Sequence, residues 1–141
     1  MTAGPIIAVD PGTSKCGIAV VDHRGRCLLR DVAQVSGVFR ALHGLADRYP
    51  GALLVMGDRT GAESFQARLR EEGLVARLGE PIAVDEHRSS EEGRRRYLIE
   101  HRRGWRRWVP MGLLTPDSPV DGYVAEVLAH RYLMVASERE R

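Results

Sequence analysis

The stretch that most constrains this chain is residues 6–22, where two apolar, β-branched runs flank a short turn. Apolar runs bounded by turn residues are typical of buried strands, so the stretch predicts a β-hairpin. Pro11 and Gly12 cannot continue a regular strand, and the chain must bend there. Asp10 closes the first strand beside two hydroxyls and one ammonium group, which suits a metal or phosphate site. A turn-forming Asp before Pro-Gly is the alternative.

The length and composition are those of an ordinary globular domain. The 141 residues predict one domain, with a core over about residues 5–136 and a charged tail at 137–141. No apolar run approaches the roughly 20 residues that cross a bilayer, and no basic region precedes the first apolar run. We therefore expect no membrane contact and no signal peptide, and the expected compartment is the cytoplasm. Cys16 and Cys27 form no metal-binding motif and no disulfide framework, which predicts buried thiols.

Apolar periodicity predicts the order of the other elements. A third strand at 27–29 completes an antiparallel meander, and helices follow over 35–49 and 62–78, the latter with a break or a cap at Gly73. Continuous apolar runs at 52–56 and 81–84 predict two buried parallel strands. A further helix, a loop and a last helix over 118–136 complete the chain. This order predicts an α/β fold: a mixed five-stranded sheet, three antiparallel strands then two parallel, with helices on both faces.

Acidic residues follow the predicted parallel strands at the points where these strands end. Asp10 ends the first strand, Asp58 follows the fourth, and Asp85 and Glu86 follow the fifth. Because binding sites in open α/β sheets form at the carboxyl ends of the strands, we expect these side chains to converge.

Asp121 adds a carboxylate from the last helix. It shares a helical face with Ala125, Leu128 and Tyr132, the face predicted to pack on the sheet, so it should point toward the strand ends. Capping of the helix and interaction with its dipole is the alternative role of an acid in the first turn.

Converging carboxylates stay ionised together only if a cation joins them, and oxygen ligands favour Mg²⁺ or Mn²⁺. Two such ions can activate water against a phosphodiester.

Arginines cluster before the last helix. Residues 88–107 hold eight arginines against three acids, although the net charge of the whole chain is only +2. Guanidinium groups pair with phosphates and indole rings stack on bases, so the cluster predicts a nucleic-acid surface, with a solvated helix face as the alternative. Two further cations, Lys15 and Arg59, lie nearer the acids and could hold the phosphate that is cut. The predicted nucleic-acid contacts are Lys15, Arg59, Arg88, Arg94, Arg95, Arg102, Arg103, Trp105, Arg106 and Arg107.

Four motifs resemble the YqgF (RuvX) family of RuvC-like nucleases, which has the ribonuclease H fold. VDPGTSKCGIAVV at 9–21 is similar to the opening motif of that family. It is also similar to the phosphate loop of the sugar kinase and actin ATPases, which need two domains and more than twice this length. DEHRSS at 85–90 and VDGYVA at 120–125 are similar to later family motifs. GDRTG at 57–61 stands where the family carries a Gly-x-Pro segment, with Asp58 replacing an apolar residue. The resemblance covers residues 5–134.

The resemblance implies that Asp10, Glu86 and Asp121 are catalytic acids that bind the metal ions, Mg²⁺ or Mn²⁺. His87 stands where the family usually has Arg, and the adjacent Arg88 is its possible substitute.

Secondary candidates come from the RuvC resolvases proper. These place a Glu after the fourth strand, so either Asp58 or Glu86 completes the acidic triad. They also carry a paired acid before the last one, for which Asp117 is the candidate, whereas Asp85 is expected to cap or orient the loop.

Three functions are consistent with these features. The leading expectation is a metal-dependent nuclease acting on structured nucleic acid, and resemblance to YqgF implies processing of the 5′ end of pre-16S ribosomal RNA. The second is a four-way DNA junction resolvase, which must act as a two-fold homodimer to make two symmetric cuts. The third is a nucleic-acid-binding module without catalytic activity.

Overall fold

β1 (Ile6–Asp10) is the central strand of a five-stranded mixed sheet. It pairs antiparallel with β2 (Lys15–Val21), which pairs antiparallel with β3 (Cys27–Gln34). On its other side β1 pairs in parallel with β4 (Leu53–Gly57), and β4 pairs in parallel with β5 (Ile82–Val84). The order β3-β2-β1-β4-β5 confirms the predicted mixed sheet, in which three antiparallel strands are followed by two parallel ones.

Helices cover both faces of the sheet. A 3₁₀ turn at Val35–Gly37 leads into α1 (Val38–Arg48), which lies on one face with α2 (Ala62–Glu71) and α3 (Leu74–Leu78). α4 (Asp121–Arg139) lies on the other face. The computed structural model describes residues 4–58, 61–85, 91–93, 95 and 121–139, with only the backbone of residues 121, 138 and 139. None of the helices in these ranges has both the length and the apolar composition that crossing a membrane requires.

The break predicted inside the second helix is present. Gly73 has a φ of 77°, in the left-handed region that glycine adopts without steric strain, and it separates α2 from α3. Leu69 and Leu74, on either side of this break, are both fully buried. The turn therefore lets both short helices pack on the same face of the sheet.

Side chains of β1 alternate between two hydrophobic cores. Ile7 and Val9 pack in the core under α1, α2 and α3, whereas Ile6 and Ala8 pack in the core under α4. All four side chains are buried because β1 has a neighbouring strand on each side and helices on each face. By the same alternation Asp10, at the end of the strand, lies on the face that α4 covers.

α4 is buried on more sides than its sequence pattern predicted. Ala125 and Leu128 pack on the sheet as expected, yet every residue from 122 to 129 is buried. A Cβ placed on Gly93 would meet the backbone and side chain of Val124, which shows that a second segment lies directly against the helix. A helix covered on several sides needs apolar residues around most of its circumference and lacks a clear polar face.

β3 is longer than predicted and forms an edge of the sheet. The expected strand ended at residue 29 because Arg30 and Asp31 interrupt the apolar run, but the observed strand continues to Gln34. Leu29 and Ala33 pack against the core on the side of α1, and the residues between them face the other way or solvent. A strand at the edge of a sheet keeps contact with solvent along its unpaired side, so a charged pair does not end it.

We expect Leu128→Ala to lower the free energy of unfolding by about 2–5 kcal/mol, because it leaves a cavity where α4 packs on the sheet. The measurement is the midpoint of urea unfolding. Met134→Ala on the same helix is the control: its side chain is 66% exposed, so the change should stay within about 0.5 kcal/mol. Equal losses in the two variants would contradict the packing of α4.

Candidate active site at the carboxyl ends of the strands

β1, β4 and β5 end at the same edge of the sheet. The parallel register pairs Val9 with Met56 and Gly57 with Val84. The residues that directly follow these pairs are therefore neighbours across the three strands. This is the edge at which open α/β sheets form their binding sites.

The three acids at these strand ends differ in their exposure. The side chain of Asp10 is buried, with 7% of the residue exposed. Asp58, just after β4, is exposed, and its backbone N–H donates a hydrogen bond to the carbonyl of Val84 (3.1 Å). Asp10 is thus the carboxylate withdrawn from water, and Asp58 lies at the surface next to the end of β5.

Asp85 is tied to α4 through its backbone. Its carbonyl oxygen accepts a hydrogen bond from Nη1 of Arg131 (2.8 Å), and Nη2 of the same guanidinium donates to the carboxylate of Glu92 (2.8 Å). The Asp85 residue itself is exposed. This arrangement links the end of β5 to α4.

The first turn of α4 lies on the same face of the sheet as Asp10. A Cβ on Gly122 would be 3.2 Å from the backbone nitrogen and oxygen of Asp31 in β3. In the sheet register Asp31 of β3 pairs with Ile18 of β2, and Ile18 pairs with Val9 of β1. α4 therefore begins at the level where β1 ends, and the backbone of Asp121 is at that end of the sheet.

The turn between β1 and β2 is tightly built. A Cβ on Gly12 would collide with the carbonyl oxygen of Lys15, so only glycine fits this position without a shift of the backbone. The N–H of Val35 donates to the carbonyl of Ser14 (3.0 Å) and ties the turn to the segment before α1. These contacts hold the end of β1 and the start of β2 in one fixed relation.

Lys15 is exposed at the start of β2. It alternates in phase with Ala19 and Val21, which pack in the core under α4, so Lys15 lies on the same face of the sheet as Asp10. An ammonium group and a buried carboxylate therefore share one face at this edge.

Most of the other predicted site residues lie outside the described ranges. Arg95 is described and exposed. Within the described chain, no three His, Cys, Asp or Glu side chains are close enough to hold a metal ion, but neither Glu86 nor the Asp121 side chain belongs to that set. The predicted residues outside it are Glu86, Asp117, Arg59, Arg88, Arg94, Arg102, Arg103, Trp105, Arg106 and Arg107.

Sequence reasoning missed a charged cluster between α4 and β3. Glu126 is 8% exposed, and its Oε1 accepts a hydrogen bond from Nη1 of Arg30 (2.6 Å). The Arg30 guanidinium also lies 4.3 Å from the ring centroid of Tyr123. One turn along α4, Nε2 of His130 donates to the carbonyl of Gly25 (2.9 Å). The available signal was one Glu within the apolar stretch 122–129, but the sequence alone did not place Arg30 opposite it.

The two thiols differ in their environments. Cys16 is fully buried, as predicted, whereas Cys27 is half-buried on β3; neither forms a disulfide. Burial raises the pKa of the Cys27 thiol to about 11, and the negative charge of the neighbouring Glu126 acts in the same direction. Cys27 therefore stays protonated near neutral pH and is a poor nucleophile.

Comparison with models of known protein families gives no match for this chain, and comparison with curated proteins gives none. The resemblance to the YqgF family thus rests on the four motifs and their spacing. Apart from that resemblance, the structure places a buried carboxylate, a cation on the same face and the start of α4 at one edge of a mixed sheet.

Gly12→Ala should lower the free energy of unfolding by about 1–3 kcal/mol, because the added methyl group displaces the carbonyl of Lys15 and opens the turn. Urea unfolding measures the change. Gly44→Ala in α1 is the matched control: a Cβ there has open space, and Ala in a helix interior should add about 0.5–1 kcal/mol. A neutral Gly12→Ala variant would show that the turn is looser than described.

In a Cys16→Ala variant, Cys27 should react with iodoacetamide at pH 8 about a hundredfold more slowly in the folded protein than in urea, because a thiol pKa raised to about 11 leaves a much smaller thiolate fraction. A raised folded pKa also means that stability falls as pH rises from about 9 to 11. Glu126→Gln should speed the reaction by removing the neighbouring charge. Equal rates in folded and unfolded protein would contradict this environment.

Proposed function

We propose that this protein is a divalent-metal-dependent nuclease that hydrolyses phosphodiester bonds in structured nucleic acid. The observation that carries the proposal is the buried carboxylate of Asp10 at the shared end of β1, β4 and β5, on the face where α4 begins. Nucleases that use this chemistry need oxygen ligands from several segments at one point. The edge of the sheet supplies segments from the start, middle and end of the chain.

The donor set fits a hard cation. Asp10, Glu86 and Asp121 would hold Mg²⁺ or Mn²⁺ in preference to softer metals, since all three donate oxygen and none donates sulfur or nitrogen. When bound, such ions activate water and stabilise the leaving oxygen of a phosphodiester. The burial of Asp10 suits this role, because a carboxylate withdrawn from water attracts a cation more strongly than an exposed one.

Other residues of the site would bind the substrate rather than the ions. Lys15, on the same face as Asp10, would pair with the phosphate that is cut. Arg59 and the arginines of residues 88–107 would bind phosphates along the strand, and Trp105 would stack on a base. The exposed Asp58 is the alternative third acid if Glu86 does not take that role.

We further propose that the substrate is RNA and that the reaction trims the 5′ end of pre-16S ribosomal RNA. Support for this step comes from the resemblance of the four motifs to the YqgF family. The site chemistry by itself is suited to either RNA or DNA, because the reacting group in both is a phosphodiester.

Asp10→Asn should lower the rate of RNA cleavage in Mn²⁺ by at least about a hundredfold, because it removes the charge of a metal ligand, while RNA affinity stays within about twofold. A gel assay with end-labelled RNA measures cleavage, and a filter assay measures binding. Asp47→Asn is the matched control: Asp47 is exposed on α1, where it pairs with Arg77, and its loss should leave cleavage unchanged.

The same assay separates the alternatives. Cleavage of RNA but not of a synthetic four-way DNA junction, with loss of activity in EDTA, is the expected result. Symmetric cutting of the junction would instead favour a dimeric resolvase. Binding without cleavage in Mg²⁺ and Mn²⁺, or an Asp10→Asn variant that cuts at the wild-type rate, would refute the proposed active site.

A further inference from the structure

A cleft of about 470 Å³ lies beside the β1–β2 turn, on the other side of the turn from the face that holds Asp10. Pro11, Gly12 and Thr13 form one wall. The opposite wall comes from α1 and α2, which pack on the face of the sheet away from α4. Pro11 directly follows Asp10 in the chain, so the cleft adjoins the candidate active site at the same edge of the sheet.

The floor of this cleft is apolar and aromatic. Phe39 of α1 and Phe65 of α2 are stacked, with ring centroids 5.2 Å apart and planes 29° apart, and Val35 lines the cleft next to them. Both rings are almost fully buried, so the stack is a rigid part of the core. The volume is within the range of small-molecule sites, about 300–1,000 Å³.

The rim of the cleft is polar and positively charged. Thr13 and Ser64 bring hydroxyl groups from the turn and from α2. The guanidinium of Arg68 lies 4.8 Å from the ring centroid of Phe39, at the border between floor and rim. Its ion pairs with Glu71 (3.7 Å) and Glu72 (3.4 Å) are long and exposed, so both are weak and a phosphate group can compete with them.

We infer that this cleft holds one unstacked nucleotide of the substrate strand, with its base against the apolar floor and its phosphate at Arg68. The flat ring system of a base matches the apolar floor, and the hydroxyl groups of the sugar match those of Thr13 and Ser64. The negatively charged phosphate matches the guanidinium of Arg68. This inference rests on the proposed function, because it takes the bound strand to be the one that is cut. It adds that the substrate must be unpaired beside the cut, since a base within a duplex cannot enter the cleft.

Binding of a short single-stranded RNA, measured in EDTA by fluorescence anisotropy, tests the charge at the rim. Arg68→Gln should weaken binding about tenfold. Arg70→Gln removes the same charge from the same helix, but Arg70 pairs with Glu80 away from the cleft, so its effect should stay within about twofold. Equal losses in both variants would show only a general effect of charge and would overturn the inference.

A second measurement tests the base. A single abasic nucleotide moved along the RNA should weaken binding about tenfold at one position, because stacking on the cleft floor is lost there. In Ser64→Phe, which fills the cleft, that sensitivity should disappear, whereas Ala67→Phe on the exposed side of α2 should retain it. An abasic effect that is the same at every position would overturn the inference.

Two competitors distinguish a strand from a free ligand. Adenosine monophosphate and inorganic phosphate should each compete with the RNA only at concentrations far above that of the RNA. Competition by the mononucleotide at equal concentration would mean that the cleft takes free nucleotides, which overturns the inference. Because every binding measurement is made in EDTA, failure here is separate from failure of the Asp10→Asn cleavage test.

Discussion

Parallel pairing of β1 with β4, and of β4 with β5, is the constraint on which the rest of the structure depends. Parallel strands must all run toward the same edge, and each connection between them must cross a face of the sheet. The connections supply α1, α2 and α3, which close one face over an apolar core. The residues that follow the strands are then gathered at one edge by the strand pairing itself.

Two buried acids lie on the side of the sheet that α4 covers. Among the described residues, Asp10 and Glu126 are the buried charged ones, and both are on the side of α4. Glu126 is compensated by Arg30, and such a pair adds little net stability but penalises any other placement of the helix. It thereby fixes where α4 lies along the sheet. A buried carboxylate at a strand end contributes nothing to an apolar core, and the proposed function would give the burial of Asp10 a role in holding a cation.

Much of the fold could be predicted because its signals are local. The continuous apolar runs of β1, β4 and β5 reflect burial on both faces, and Gly73 marks the break between α2 and α3. β3 was predicted too short because a strand at an edge tolerates Arg30 and Asp31, which a central strand would exclude. The expected single apolar face of α4 was incomplete, because the covering segment at Gly93 has no signature in the helix itself.

In the candidate site, too, some features could be predicted from the sequence and others arise only from the folded structure. Asp10 could be predicted, since a carboxylate between an apolar run and Pro-Gly is visible in the sequence. The Arg30–Glu126 pair could not, because its partners are 96 residues apart and only the packing of α4 over β3 brings them together. The cleft at Phe39 and Phe65 was hidden for a similar reason: each ring belongs to an ordinary amphipathic helix, and the space between them exists only in the folded domain.

The position of α4 has a consequence for biosynthesis. This helix begins at residue 121, yet it covers strands that are synthesised first, including β1. A growing chain can form the β1–β2–β3 meander and add α1 early, but one apolar face of the sheet stays uncovered until the 91 residues from the end of α1 (residue 48) to the end of α4 (residue 139) have been translated. At about 5–20 residues per second this interval lasts several seconds, during which the nascent protein exposes a surface that chaperones bind.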